Sequence, residues 1–130
     1  MSAQEDVRRV IEQMMSAAAQ GDFGHFFAAL DDDLEVFDSA AYRFDNKNSF
    51  LEFLQTTMPG AESTTFAFHQ PSCRAVTDTA AIVNAYDRVT TTPNDGGVPK
   101  LLFGRTTLVL VKRDSQWKIV SAHFSALAKE

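Results

Sequence analysis

The chain reads as an α+β domain in which helices come first and a meander of long strands follows. Three observations predict this. Val7, Val10, Ile11, Met14, Met15 and Ala18 recur at helical spacing, and Phe50, Phe53, Leu54 and Met58 repeat that pattern later. From Thr64 onward the chain is strand and turn, rich in Val, Leu, Ile, Thr and Phe. The stretch from Gly104 to Ser125 holds two apolar runs around Lys112-Arg113-Asp114-Ser115-Gln116, the pattern of a tight antiparallel hairpin.

The elements follow in order. Ser2-Ala3-Gln4-Glu5 fits a capping box, and Gly21 ends the helix it starts. Asp22 caps a second, shorter helix with Phe23, Phe26, Phe27 and Leu30 on one side, where Gly24 costs about 1 kcal/mol relative to Ala. Asp31-Asp32-Asp33 reads as a solvated turn before a short strand in which Leu34, Val36 and Asp38 share one parity. A polar link from Ser39 to Asn48 carries Tyr42 and Phe44. The third helix begins between Asn46 and Ser49 and stops at Pro59-Gly60. Strands are predicted over Thr64 to Gln70, with Cys73 to Thr77 continuing it, then Thr79 to Thr92, Lys100 to Lys112 and Gln116 to Ala126. Pro93 to Gly97 is a loop dense in turn formers. With no repeat, linker or low-complexity tract, residues 1–130 form one domain.

The last hairpin is apolar on both parities. Thr107, Val109 and Val111 alternate with Leu108 and Leu110, and Trp117 and Ile119 alternate with Val120, Ala122 and Phe124. A hairpin covered on one face alternates apolar with polar, so both faces are expected to be covered. Helices cover one; a second subunit is the expected cover for the other.

At 130 residues the chain can bury roughly two-thirds of its unfolded surface without staples. Eleven Phe against two Tyr and one Trp favour a core or an apolar pocket. A net charge of −5, with the twelve basic residues scattered, argues against nucleic-acid binding. Cys73 is the lone cysteine and reads as a small residue near a strand end, so no oxidising compartment is implied. The first residues lack a signal-peptide core and no window approaches a membrane span, so a cytoplasmic location is expected.

The order of elements, with the residues at its joints, resembles the SnoaL-like branch of the nuclear transport factor 2-like superfamily. That superfamily also holds ketosteroid isomerase and the association domain of calcium/calmodulin-dependent kinase. The residues that carry the likeness are Gly21-Asp22, Asp31-Asp32, Leu34-Glu35-Val36-Phe37-Asp38 and the ending Lys112 to Val120 with His123 and Ser125. The likeness spans the whole chain. It implies three N-terminal helices packed on a strongly curved antiparallel or mixed sheet, a cone-shaped α+β barrel. It also implies a pocket between helices and sheet, and a homodimer through the sheet's outer face.

Asp38 is the sharpest chemical candidate. If Leu34 and Val36 face the core, Asp38 ends their row in an apolar setting that raises its pKa and suits it to proton transfer. By resemblance it occupies the position of the general-base aspartate of ketosteroid isomerases; the alternative is a cap on the Ser39-Ala40 turn. Those isomerases carry a tyrosine where this chain has Met14, which offers no hydrogen to an oxyanion. His123 fits a general acid/base, a contact to a ligand carboxylate, or a satisfied interface or core histidine, and a further His that relatives carry is Ser121 here. Tyr42 can donate at the mouth. Met14, Phe27, Phe53, Phe68 and Phe103 are the expected apolar lining. Tyr86, with Asn84 on its parity, is an expected polar contact; Arg105 fits a ligand carboxylate or, better, a salt bridge to Asp87 or Asp38. His69 is a further wall candidate and His25 is expected to be exposed. These three separated histidines make no metal site, and no cofactor fingerprint is present.

Three functions fit these residues: a homodimeric domain binding a small apolar or carbonyl-bearing molecule, a cofactor-free isomerase, cyclase or dehydratase with Asp38 as base, and a protein association module. The missing oxyanion donor favours the first.

Overall fold

The computed structural model describes residues 2–39, 43–57 and 61–127. Helix α1 (Ala3–Ala19) opens on Ser2, whose hydroxyl accepts from the Glu5 amide at 3.2 Å. Gly21, at φ +72°, carries the chain out of the helix, and the Asp22 amide closes it by donating to the Ala17 carbonyl at 2.8 Å. Asp22 then accepts from the His25 amide at 3.1 Å and starts α2 (Phe23–Phe27). The chain continues through β1 (Leu30–Phe37), β2 (Arg43–Phe44), α3 (Lys47–Thr57), β3 (Ala61–Thr77), β4 (Ala80–Pro93), β5 (Lys100–Arg113) and β6 (Gln116–Ala126).

The six strands form one mixed sheet in the order β2-β1-β6-β5-β4-β3. Neighbours are antiparallel except β1 and β6, which run parallel. Among the described residues the sheet is open, with β2 and β3 at its edges, so the barrel of the expected cone is not closed. Part of the β3 edge is met by α1 instead: the Gln4 side-chain amide donates to the Cys73 carbonyl, and its oxygen accepts from the Ala75 amide at 2.8 Å.

Parallel pairing with β6 extends β1 back to Leu30, which corrects the reading of the three aspartates as a turn. Asp31 and Asp33 lie in the strand and bind Arg113 at 3.0 and 3.3 Å. The core lies between helices and sheet. Val7, Ile11 and Met14 of α1 meet Leu34 and Val36 of β1, Val83 of β4, Leu108 and Leu110 of β5, and Ile119 of β6, all essentially buried.

The final hairpin departs from the expected parity. Leu110 pairs with Ile119 but Val109 pairs with Ser121, so Val120 is an extra residue, a β-bulge. The bulge puts Trp117, Ile119 and Ala122 all on the buried side. It leaves Ser121, His123 and Ser125 on the outer face, so beyond the bulge β6 is covered on one side only within one chain. Lys118 reaches back to donate to the Ala28 carbonyl at 2.8 Å.

Candidate functional site: an apolar cavity with two carboxyls

Between the helices and the sheet lies a cavity of about 720 Å³. Its wall follows from helical and strand periodicity. α2 contributes Phe23, Phe26 and Phe27, α3 contributes Phe50, Leu51 and Leu54, and the inner positions of β3 contribute Phe66 and Phe68. The rings interlock: Phe26 lies 5.2 Å from Phe66 and Phe66 meets Phe68 edge-on at 4.9 Å. Met14 closes the α1 side and Phe103 stands half exposed at the rim. A larger groove of about 900 Å³ runs between α1, α2 and the β5–β6 turn, but it is lined by mixed charges such as Asp6, Arg9, Lys112 and Lys118. The smaller cavity is the candidate because it is apolar and holds the carboxyls.

Asp38 lies on its wall, just past the end of β1 beyond Leu34 and Val36. A second carboxyl, Asp87 of β4, lies on the same wall and is only 8% exposed. The Thr106 hydroxyl, itself buried, donates to Asp87 Oδ2 at 2.5 Å. Gly104 faces Asp87 across the β4–β5 ladder. A Cβ there would stand 2.9 Å from Asp87 Oδ1 and 2.8 Å from the Ser125 carbonyl oxygen, so only glycine leaves room for this carboxyl. Burial pushes the Asp87 pKa up, the Thr106 hydrogen bond pulls it partly back, and the Asp38 charge pushes it up again.

The expected site residues divide between the two faces. Asp38, Met14, Phe27, Phe68 and Phe103 share the cavity. Phe53 does not line it; it packs on Phe44 at 4.9 Å, because Phe50, Leu51 and Leu54 occupy the inner side of α3. Tyr86 and Arg105 are cross-strand partners on the outer face, exposed, so neither reaches the cavity, and Arg105 makes no ion pair with Asp87. His69 pairs with Tyr86 on that face. His123 is also outward, 5.8 Å from the Phe37 ring, because the bulge at Val120 turns it away from the side of Ile119. Tyr42 lies outside the described residues. His25 is exposed and holds Asp22 at 2.5 Å. Asp87 itself was read only as a partner for Arg105. The signal that exposes it is its row on β4, Ala81, Val83 and Ala85, which is the inward one.

Among the described residues no cluster of three His, Cys, Asp or Glu side chains could hold a metal ion. No helix of the described residues is long and apolar enough to cross a membrane.

Several solved structures share this architecture. A putative scytalone dehydratase from Novosphingobium aromaticivorans is 15% identical at a TM-score of 0.79, over 95% of this chain and 83% of that one. A ketosteroid isomerase-like protein from Erwinia carotovora atroseptica is 13% identical at 0.76, over 97% of both chains. The CaMKII hub of S. rosetta is 24% identical at 0.74, over 98% of both. At these identities the likeness carries the fold alone. No curated protein is significantly similar to the chain. The SnoaL-like domain model matches residues 7–129, nearly the whole length, and the protein belongs to that family.

Proposed function

We propose that the cavity binds a small, largely apolar molecule bearing a carbonyl, and that Asp38 moves a proton on the carbon next to it. The reaction class is that of an isomerase, cyclase or dehydratase working through carboxyl chemistry. One observation carries this reading: an apolar, phenylalanine-lined cavity has two carboxyls on its wall. Simple ligand storage gives no reason to bury a carboxyl among phenyl rings, where an ion is costly unless stabilised. Proton transfer does, and on this wall burial raises the pKa of the neighbouring Asp87, the direction a group exchanging protons near neutral pH needs.

The reading extends to a homodimer through the outer sheet face, with the sheet curled round the helices. Phe37 and Tyr86 are about half exposed on that face, at 49% and 45%, which supports a covering partner. The test of function is a panel of enones and polyketide-like ketones. Wild-type protein is expected to turn over at least one, and Asp38→Asn to lose about a hundredfold or more of that rate. Turnover unchanged by Asp38→Asn contradicts the assignment.

A further inference from the structure

The groove of about 900 Å³ between α1, α2 and the β5–β6 turn shares Met14 with the cavity and none of the cavity's carboxyls. We propose that this groove is a second ligand site, and that it takes a small monocarboxylate with a compact apolar body. The proposal stands apart from the proton-transfer reading and needs no reaction in the cavity.

The signal is Trp117. It lines the groove and is only 8% exposed, and its indole N–H donates to no acceptor among the described residues. A buried donor without a partner is costly, and buried indoles ordinarily find one. The backbone oxygens that the groove offers are already engaged. The Ala28 carbonyl accepts from Lys118 Nζ at 2.8 Å, and the Ala29 carbonyl accepts from the Ile119 amide at 2.9 Å. The missing acceptor is one that a ligand can bring, displacing the exposed Lys112 and Gln116 side chains that flank Trp117.

The charges select an anion. Lys112 is the cross-strand partner of Trp117, which puts an ammonium on the same face of the hairpin as the indole. Lys118 donates to an uncharged carbonyl, and neither lysine forms an ion pair among the described residues. Arg9 adds a third cation from α1. Of the two acids on the wall, Asp22 is held by His25 at 2.5 Å. Asp6 and Asp22 together still oppose a doubly charged group, so a monocarboxylate fits better than a phosphate. One carboxylate oxygen accepts from the indole and the other from Lys112. Val10, Met14 and Ala17, in one row along α1, take the apolar body.

Trp117 is the lone tryptophan of the chain and is absent from the cavity wall, so its emission reports on the groove. Full-length protein titrated with cyclohexanecarboxylate is expected to show a saturable shift of that emission. Cyclohexanecarboxamide and inorganic phosphate are each expected to bind at least about tenfold more weakly. Lys112→Gln, at an exposed position, is expected to weaken the carboxylate about tenfold, and Trp117→Phe, followed by calorimetry, by a similar factor. No saturable change in wild-type protein up to about 10 mM overturns the proposal. So does an affinity that Lys112→Gln or Trp117→Phe leaves unchanged, since the probe then sits elsewhere. Should Trp117→Phe fail to fold, Lys112→Gln decides the matter by itself. An amide that binds as tightly as the acid overturns the anionic ligand, and phosphate that does so overturns the carboxylate.

Discussion

Asp87 owes its depth to two small neighbours on β5, a hydroxyl that satisfies one oxygen and a glycine that leaves space for both. Removing the hydroxyl should therefore be felt. Thr106→Val is expected to cost about 1–3 kcal/mol in urea unfolding, because it strips a buried acceptor of its donor while keeping the volume. The raised pKa of Asp87 also fixes a pH dependence. The folded chain holds this proton to higher pH than the unfolded chain. Its contribution to stability is thus full below the ordinary Asp value of about 4 and is lost as pH rises through the raised folded value. Asp87→Asn should flatten that part of the stability profile, and parallel profiles for the two proteins would contradict the assignment. Asp38 was legible in the sequence because Leu34 and Val36 mark its row as the buried one. Asp87 was harder: its row-mates Ala81, Val83 and Ala85 are small, while Asn84 and Tyr86 make the opposite row look equally suited to a pocket.

Helices and strand ends carried enough local signal to be read directly, and the exceptions share a cause. The capping residues Ser2 and Asp22, the Gly21 exit and the last hairpin all depend on neighbours a few residues away. The bulge at Val120 depends on β5, and no local pattern announces it. It reversed the expected placing of His123, since one inserted residue exchanges the faces of everything beyond it. The start of β1 at Leu30 was hidden for the same reason, being set by parallel pairing with β6. Contacts between elements can be tested singly. Gln4→Ala should release the β3 edge, speed hydrogen exchange at the Ala75 amide and cost about 1 kcal/mol. An Ala75 amide protected as in wild type would refute the clamp. The β5–β6 turn holds Asp114 and Ser115 at φ +49° and +65°. Replacing that pair with Asn-Gly should stabilise by about 1 kcal/mol, since left-handed backbone costs about 1–2 kcal/mol per ordinary residue.

At the scale of the whole molecule, the sheet separates two chemistries. Its inner face and the helices enclose the phenylalanine-rich cavity, while its outer face presents Phe37, Tyr86, Arg105 and His123. The fold class was legible because helix-period and strand-period patterns occupy different parts of the chain. The open sheet was not, because closure depends on whether β2 and β3 meet at the far edges. The proposed homodimer would bury the outer face, and on that proposal light scattering at micromolar concentration should report twice the chain mass. Tyr86→Arg, which sets a second cation across from Arg105, should shift it towards monomer. A wild-type monomer would leave that face without the proposed cover.

Deuterium incorporation next to the carbonyl of a bound cyclic enone in heavy water asks the central question most directly. Wild-type protein should exchange that position, and Asp38→Asn should exchange it no faster than buffer. Equal exchange by the two proteins, or none by either while the enone is bound, would contradict the account.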